Sequence, residues 1–290
     1  MSPQAERPAS TNDATAGRPV ARVTAVQTRG ATDQVQANRL IVTPQYYAAT
    51  TPFLLLSEDT FAAPGGFESH PHRGMQTVTV VLDGALEHRD HTGAHSVLAA
   101  GDIQWMTAGR GVMHSEMPAE ASTAHTLQLW LNLPARLKMI PARYVDQRRH
   151  DVPVHREPGI TAHVYAGHLG TASHPHGSDW PMMLIDIQLQ AGRALAIPVP
   201  PVWRAFVTTL EGQGYAGTAA IDRDRVAWVD PAAAQEPSHV DLIAGDALRV
   251  LVFGAPPIAE PVAFGGPFVM NTDEELRQAF SDLRAGRLIG

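Results

Sequence analysis

The sequence contains no cysteine, and this absence removes several kinds of chemistry at once. Without cysteine there are no disulfides, no thiolate nucleophiles and no thiolate metal ligands. A protein-bound metal ion would therefore have to be held by nitrogen and oxygen atoms. The chain has 14 histidines, which makes such a site feasible, although most histidines in proteins bind no metal.

Basic clusters and long apolar runs are also missing. The chain of 290 residues carries 22 lysine and arginine residues against 29 acidic ones, a net charge of −7. Direct binding of nucleic acid through a basic patch is therefore not expected. No stretch approaches the roughly 20 apolar residues of a membrane span. Residues 1–20 are polar and have no apolar segment, so we expect a flexible leader and a cytoplasmic protein that does not bind membranes.

Short apolar runs separated by turn residues recur along most of the chain. The first group includes FLLLSE, MQTVTVVLDG, SVLAAGDIQWMT and HTLQLWLNL, and a second group begins with ITAHVYAGHLG. Runs of this length and composition are typical of strands, and the dipeptide Asp83-Gly84 predicts a tight turn after one of them. Many short strands at this spacing predict an all-β sandwich or barrel.

The two groups of strands predict two related β-domains. The segment PARYVDQRRHDVPVHREPG interrupts the strand pattern, and VVLDGAL and LAAGDIQWM in the first group resemble TTLEGQG and LIAGDALRV in the second. An internal repeat at domain spacing indicates duplication. We therefore assign residues 21–145 to an N-terminal metal-binding barrel, 146–159 to a linker and 160–290 to a C-terminal barrel with a C-terminal helix.

One stretch near the C-terminus, NTDEELRQAFSDLRAGRL, predicts an α-helix. Thr272 and Glu275 have the spacing of a capping box, in which each side chain satisfies a backbone N–H of the other residue. Leu276, Phe280 and Leu283 recur at helical spacing and share one apolar face. That face has to pack against one of the two domains.

Two pairs of possible metal ligands lie in the first group of strands. His70 and His72 are two positions apart in FESHPHRG, and His114 and Glu116 have the same spacing in RGVMHSEMP. In an extended strand, residues two apart point to the same face. Two such strands together offer three imidazoles and one carboxylate, a ligand set suited to iron, manganese, nickel, copper or zinc.

Several other histidines have competing interpretations. The string HPH recurs at His174 and His176, but the second group of strands offers no partner pair. We therefore expect no metal in the C-terminal barrel. His88, His91 and His95 surround the turn in EHRDHTGAH, which we interpret as an exposed, polar hairpin tip.

Residues next to the two pairs also allow more than one role. Arg73 either steers an anionic substrate or pairs with a nearby carboxylate. Phe67, Trp105 and Met106 either wall a pocket or, as is more common for apolar strand residues, belong to the core. Asp102 in AGDIQW is interpreted as a turn residue rather than a catalyst.

Four long stretches resemble the signature segments of the pirins, a branch of the cupin superfamily: HPHRGMQTVTVVLDG, GDIQWMTAGRGVMHSE, LQLWLNLPARLKMIPARY and GPFVMNTDEELRQA. The resemblance implies a bicupin fold, in which two antiparallel jelly-roll β-barrels pack face to face. It also implies one mononuclear metal in the N-terminal barrel, with ligands that fall on His70, His72, His114 and Glu116. Gln76 departs from the pattern, since pirins usually have a non-ligating glutamate there. The change removes one negative charge near the metal, and its effect on metal preference or redox poise is left open by the sequence.

The resemblance implies quercetin 2,3-dioxygenase activity, in which O2 opens the ring of a flavonol or a similar enol. The expected cofactor is one divalent metal, Fe(II) ahead of Mn, Ni, Cu or Zn, and Glu116 is the expected catalytic base for the substrate hydroxyl. The alternative is a non-catalytic, iron-redox-sensing regulatory protein that binds a transcription factor or a metabolic enzyme. We expect a monomer that takes a small aromatic or flavonol substrate and O2, or a protein partner in the alternative.

Overall fold

The computed structural model describes residues 16–119, 122–175, 177–232 and 236–289. The strands up to residue 147 are β1 (Ala16–Gly17), β2 (Arg22–Ala25), β3 (Gln27–Arg29), β4 (Ala37–Val42), β5 (Phe53–Ala62), β6 (Phe67–His72), β7 (Met75–Asp90), β8 (His95–Ala99), β9 (Ile103–Thr107), β10 (Val112–Pro118), β11 (Thr123–Asn132) and β12 (Arg143–Gln147). The later strands are β13 (Val154–Glu157), β14 (Ile160–Leu169), β15 (Ala172–His174), β16 (Met183–Leu189), β17 (Ala194–Val199), β18 (Arg204–Glu211), β19 (Gly214–Ala216), β20 (Ala219–Ile221), β21 (Arg225–Val229), β22 (Ser238–Ala244), β23 (Leu248–Ala255), β24 (Ala263–Gly265) and β25 (Phe268–Met270).

The helices are short, except the last one. They are α1 (Tyr47–Thr50), α2 (Ala135–Lys138) and α3 (Asp273–Arg284), and short 3-10 helices span Pro44–Tyr46 and Arg149–Asp151. Within the described ranges, none of the helices is both long enough and apolar enough to cross a membrane.

The N-terminal barrel is one connected set of antiparallel strands. Its main path runs in the order β12-β9-β7-β11-β5-β4-β3, β8 and β10 pair with β7, and β6 pairs with β10. Its strands carry both predicted ligand pairs, since His70 and His72 lie in β6 and His114 and Glu116 lie in β10.

The C-terminal barrel consists of two sheets. One has the order β13-β14-β16-β23-β18-β21-β2 with β15 attached to β14, and the other has the order β1-β22-β19-β20 with β17 attached to β22. Buried aliphatic side chains fill the space between the sheets, among them Ile185, Ile197, Leu242 and Val252. This interior is a hydrophobic core that stabilises the barrel by burial of apolar surface.

A shared hydrophobic core joins the two barrels face to face. Phe53 of β5 meets Phe206 of β18 edge to face with ring centroids 5.0 Å apart, and Phe206 stacks on Phe253 at 4.7 Å. Trp105 of β9 and Tyr165 of β14 are fully buried in the same cluster. The predicted all-β bicupin with a C-terminal helix is therefore confirmed.

The dipeptide Asp83-Gly84 does not form the predicted turn, because β7 continues through it. Gly84 has φ +73°, and a Cβ on it would lie 2.1 Å from the Thr123 carbonyl oxygen, so only glycine fits here. The pairing with β11 shifts at this point, where Thr126 faces Val81 and His125 faces Asp83. The extra residue bends β7, so that it pairs with β9 and β11 before the bulge and mainly with β8 and β10 after it.

The N-terminal segment belongs to the C-terminal barrel. Strand β1 pairs with β22, and β2 pairs with β21. Between them, the buried Arg18 guanidinium donates to the carbonyl oxygens of Pro200 and Trp203 at 3.1 and 3.0 Å. The predicted flexible leader is therefore wrong for residues 16–20, and its first 15 residues lie outside the described part. The assignment of residues 21–25 to the N-terminal barrel is also wrong.

The C-terminal segment crosses in the opposite direction and packs on the N-terminal barrel. The backbone N–H of Val269 donates to the Arg73 carbonyl oxygen at 3.0 Å, next to the end of β6. Arg73 is 5% exposed, and its guanidinium forms an ion pair with Asp282 of α3 at 2.8 Å. The first and the last of the described segments are thus each held by the barrel formed mainly from the other half.

Helix α3 begins as predicted. The Thr272 hydroxyl accepts from the Glu275 backbone N–H at 3.2 Å, and the Glu275 carboxylate accepts from the Thr272 backbone N–H at 3.0 Å. This capping box satisfies two donors that the first turn leaves free. The predicted apolar face packs around Phe268 of β25 with a cluster formed by Met113, Leu276, Ala279, Phe280, Leu283 and Leu288.

Lys138 fixes this C-terminal segment to the barrel. Its side chain is 1% exposed, and its ammonium group donates to the carbonyl oxygens of Gly74 and Val269, both at 2.9 Å, and to Asn132 Oδ1 at 2.6 Å. Three N–H donors thus meet three oxygen acceptors from three different parts of the chain. This contact connects the end of α2, the start of β7 and β25.

Replacement of Lys138 with methionine is expected to lower the free energy of unfolding by about 3 kcal/mol, because buried acceptors without donors cost roughly 1–3 kcal/mol each. Methionine has a similar length, so the loss reports mainly on the hydrogen bonds. The measurement is urea denaturation, with Arg136→Met in the same helix as the control. Arg136 is exposed, and its change should cost less than about 1 kcal/mol. Equal stability of the two variants would contradict a clamping role for Lys138.

Candidate metal centre

The antiparallel pairing of β6 with β10 brings the predicted ligand pairs together. His114 lies directly opposite His70 in the register, and Val112 lies opposite His72. Alternate residues of a strand share a face, so the three imidazoles point into the same barrel. The ring centroids of His70 and His114 are 4.3 Å apart, those of His70 and His72 4.9 Å, and those of His72 and His114 5.1 Å.

The three histidines form a group whose ligand atoms all lie within 4.8 Å of one another. His72 and His114 are each 1% exposed, whereas His70 is half-buried. His114 Nε2 has no hydrogen-bond partner, and neither ring nitrogen of His72 makes a hydrogen bond of normal geometry, although the Pro267 carbonyl lies near that ring. Buried nitrogens are usually paired, so these orphaned atoms fit a metal ion.

The surroundings of His72 and His114 lower the pKa of both imidazoles, which favours the neutral form that binds metals. Burial, helped by the proximity of His70, lowers the pKa of His72 to about 3. Burial and the neighbouring His72 and His70 rings also place the pKa of His114 well below its ordinary value. The outer nitrogen of His70, Nδ1, lies 2.7 Å from the Glu68 carbonyl oxygen. A proton on Nδ1 would donate to that oxygen and leave Nε2 as the free ligand atom.

Glu116, the fourth predicted ligand, lies in the same barrel but outside the three-histidine group. Its carboxylate is 1% exposed and accepts two hydrogen bonds, from the Thr79 hydroxyl at 2.9 Å and from Gln128 Nε2 at 2.6 Å. These donors hold the charged group in one orientation. Ligation by Glu116 therefore stays a prediction, and the structure places its side chain two positions from His114 on β10, buried on the same face of the strand.

A cavity of about 380 Å³ opens beside His70. Its walls are largely apolar and include Leu40, Leu55, Phe67 and Trp130, with polar groups such as Asp59 and Gln128 at a few points. A volume of this size is ordinary for small-molecule sites. Gln128 connects the cavity to the site, because it lines the wall and also binds the Glu116 carboxylate.

Asp59 is a buried acid in this wall that the sequence pattern does not single out. It is 1% exposed, and its carboxylate accepts from the Ser57 hydroxyl at 2.6 Å and from Asn38 Nδ2 at 2.5 Å. Burial raises the pKa of Asp59 despite these two hydrogen bonds, and the negative charges of Glu116 and Glu58 add to the effect. The sequence gives no signal for this residue, which directly follows the apolar run FLLLSE.

His88 contradicts the prediction of an exposed hairpin tip. It is 2% exposed, and its Nε2 lies 3.0 Å from Nδ1 of His114. Burial is the main reason why the pKa of His88 is lowered. For His91 and His95 the prediction is confirmed, because both side chains are exposed.

Contrary to the prediction, Gln76 does not lie next to the three-histidine cluster. The Thr79 side chain points to Glu116, and Gln76, an odd number of positions away on the same strand, points to the other face of β7. There its Oε1 accepts from the Ser178 hydroxyl at 2.7 Å, in the C-terminal half of the chain. The expectation that Gln76 lies close to the metal is therefore wrong.

The structure also decides between the roles that the sequence left open for the other neighbouring residues. Arg73 pairs with a carboxylate, that of Asp282, rather than lining the cavity. Trp105 and Met106 are core residues, whereas Phe67 lines the cavity. Asp102 is confirmed as a turn residue whose carboxylate accepts from the backbone N–H groups of two residues, Ala99 at 3.1 Å and Arg149 at 2.9 Å.

The C-terminal barrel has an aliphatic interior. His174 Nδ1 lies 2.6 Å from the Pro175 carbonyl oxygen and 3.2 Å from Gln147 Nε2, and His176 lies outside the described residues. In the part of the chain that the structure describes, the three-histidine group is the only cluster that meets the geometry of a metal site. The absence of a metal in the C-terminal barrel stays a prediction.

Known proteins share both the sequence pattern and the fold. The chain matches the pirin family over residues 24–131 and the pirin C-terminal cupin domain over residues 184–289. It is 38% identical to human pirin over 250 residues, which cover 80% of this chain and 81% of the human protein. The chain belongs to the pirin family.

Solved structures of related proteins agree with this assignment. A quercetin 2,3-dioxygenase from Acinetobacter baumannii superimposes on this pirin with a TM-score of 0.85 at 29% identity, covering 95% of this chain and 100% of that one. The bacterial pirin YhhW from Escherichia coli, in complex with nickel(II), has a TM-score of 0.63 at 22% identity, covering 80% and 100%. At that identity, the likeness to the second structure shows the shared fold alone.

Proposed function

We propose that this pirin is a metal-dependent dioxygenase of the quercetin 2,3-dioxygenase type, which opens the ring of a flavonol or a similar enol with O2. The observation that carries the proposal is the cluster of three imidazoles next to a largely apolar cavity. The similarity to the Acinetobacter quercetin 2,3-dioxygenase supports it.

His70, His72 and His114 would hold the metal, and we propose Glu116 as the fourth ligand. A divalent metal in such a nitrogen and oxygen site lowers the pKa of a bound hydroxyl and mediates electron transfer to O2. We propose Fe(II) as the physiological metal. Nickel, which the E. coli relative binds, also suits this ligand set, as do manganese, copper and zinc.

Glu116 is the proposed base for the substrate hydroxyl. A general base has to lie within hydrogen-bond reach of the proton that it takes. The carboxylate lies beside the histidine cluster, with one oxygen bound by Thr79 and the other by Gln128. Each carboxylate oxygen has a second lone pair, so these hydrogen bonds orient Glu116 and still leave acceptor capacity for a substrate proton.

The cavity walls would bind the substrate and exclude water. Phe67 and Trp130 provide aromatic surface, and Leu40 and Leu55 complete an apolar lining that suits the planar rings of a flavonol. Trp130 also packs edge to face on His72 with ring centroids 5.2 Å apart. A ring system held in this cavity would therefore lie beside the imidazole cluster.

The test is oxygen uptake by metal-loaded protein in the presence of quercetin. The protein is stripped of metal and reloaded separately with each of the five candidate ions. At least one loaded form should consume O2 only when quercetin is present and should release carbon monoxide, whereas the metal-free protein should not. Absence of quercetin-dependent uptake with all five ions would contradict the dioxygenase proposal.

One contact favours the second candidate, a redox-sensing regulatory protein. Arg73 directly follows the proposed ligand His72, and its guanidinium is paired with Asp282 on α3. This connects the metal centre to a helix at the protein surface. Binding of a protein partner in only one oxidation state of bound iron, without any turnover, would support this function over catalysis.

A further inference from the structure

His88 is a buried histidine that contacts the three-histidine cluster through His114. We propose that His88 is a positioning residue, which accepts a hydrogen bond from His114 and thereby sets the orientation and the electron-donating strength of that ligand. The proposal rests on the proposed metal binding at the three histidines. It concerns how tightly the metal is held and which oxidation state is favoured.

The register of β7 and β10 places the two rings in contact. Strand β7 runs antiparallel to β10, with His88 opposite Glu116. The ring centroids of His88 and His114 are 5.1 Å apart, and His88 Nε2 lies 3.0 Å from His114 Nδ1. This distance is that of a normal hydrogen bond between two ring nitrogens.

The free nitrogen of His114 determines the direction of that hydrogen bond. Its Nε2 is buried and has no partner, so it is the atom available to a metal. A neutral imidazole that binds a metal through Nε2 carries its proton on Nδ1. Nδ1–H of His114 is then the donor, and Nε2 of His88 is the acceptor.

His88 is held in place for this role by its surroundings. Its side chain is 2% exposed, and the ring packs against Tyr144 of β12 with centroids 4.9 Å apart. Water cannot easily replace it as the acceptor at such a buried position. By contrast, the outer nitrogen of His70 faces the Glu68 backbone carbonyl, which side-chain substitution does not remove.

Two consequences follow from the chemistry of metal-bound imidazole. An acceptor on the outer N–H fixes the tautomer and raises the basicity of the ligand, and loss of such a partner typically lowers metal affinity by about 10–100-fold. A more basic ligand also stabilises the higher oxidation state. Loss of the acceptor should therefore shift the reduction potential of bound iron to a more positive value.

The test compares His88→Leu with His88→Gln. Leucine removes the acceptor, whereas the side-chain carbonyl of glutamine can reach the position of the His88 Nε2 atom. Affinity for nickel(II) alone is measured by competition with a chelator, and the reduction potential is measured on iron-loaded protein. We expect His88→Leu to bind nickel about 10–100-fold more weakly and to have a more positive iron potential. His88→Gln should recover most of both properties.

The matched control is His95→Leu, the same change at an exposed histidine of the neighbouring strand β8, whose Nε2 lies 2.8 Å from Glu87. It should leave nickel affinity and iron potential unchanged. The proposal is overturned if His88→Leu binds nickel as tightly as the unaltered protein, or if a folded His88→Gln is as weak as His88→Leu. If His88→Leu does not fold, His88→Gln decides alone, and a large loss of affinity there overturns the proposal. None of these readouts requires a substrate, so they are independent of whether the dioxygenase proposal holds.

Discussion

Replacement of His72 with alanine is expected to remove most of the bound metal. His72 is one of the two fully buried members of the cluster, and both of its ring nitrogens lack a normal hydrogen bond. Loss of a residue that only supports a ligand already costs about 10–100-fold in metal affinity, so loss of a ligand itself should cost more. The measurement is elemental analysis of the purified variant after metal loading and dialysis.

The control for this experiment is His174→Ala, which changes the histidine that resembles a ligand in the C-terminal half. His174 contacts Gln147 and its own loop rather than the cluster. The metal content of the His174→Ala variant should therefore match that of the unaltered protein. Full metal occupancy in His72→Ala would contradict the three-histidine site. Loss of one equivalent in His174→Ala would show a second site.

Replacement of Glu116 with glutamine is expected to slow turnover by about 10²–10⁴-fold, the usual contribution of a general base. The amide cannot accept the substrate proton. The three imidazoles remain and Gln can still offer its carbonyl oxygen, so the metal should be retained and substrate affinity should fall less than turnover.

The surroundings of Glu116 add a structural cost to this change. Both carboxylate oxygens accept hydrogen bonds, from Thr79 and from Gln128. A glutamine has only one acceptor oxygen, so its NH2 group would face one of these donors. Gln128 can respond by turning its own amide, but its Oε1 already accepts from Trp130 Nε1 at 3.3 Å. A loss of stability of roughly 1 kcal/mol is therefore expected as well.

Metal content and flavonol-dependent oxygen uptake have to be measured on the same Glu116→Gln sample. A metal-replete variant with undiminished turnover would remove Glu116 from the mechanism. A variant that loses its metal would identify Glu116 as an important ligand, and the rate would then say nothing about a base. Urea denaturation of the same sample shows whether the variant is folded, so that unfolding is not mistaken for loss of a ligand or of a base.

The three-histidine cluster was predictable because it depends on short-range geometry. His70 and His72, like His114 and Glu116, are two residues apart on strands, and this spacing alone puts each pair on one face. The capping box of α3 was predictable for the same reason, since it links Thr272 only to Glu275. Features set within a few residues of one another can be read from the sequence.

His88 was assigned to an exposed hairpin tip, but the tip begins only after β7 ends at Asp90, and an irregularity earlier in that strand sets the direction of the His88 side chain. Asp83-Gly84 is a strong hairpin signal, yet here the positive φ of Gly84 serves a bulge inside a long strand. The bulge reverses which residues face inward, so that Val81 before it and Leu86 after it pack in one cluster. His88 follows Leu86 by two positions and therefore also points into the barrel.

The crossing of the two chain ends was not predictable from composition or periodicity. Strand β2 joins the C-terminal barrel and α3 packs on the N-terminal one, through contacts such as Arg73 with Asp282, which are 209 positions apart. Asp59 and Gln128 likewise lie near the site because of how the strands pack, and not because of a local sequence pattern. Such contacts depend on how complete barrels pack, and no local pattern encodes that packing.

The most direct test of the central claim is an anomalous-difference map from crystals of metal-loaded protein, recorded at the absorption edge of the bound metal. The account predicts a single peak at bonding distance, about 2.0–2.2 Å, from one nitrogen each of His70, His72 and His114, with a Glu116 oxygen as the proposed fourth ligand. A principal peak elsewhere, such as beside His174, or no peak in protein shown by elemental analysis to carry metal, would contradict it.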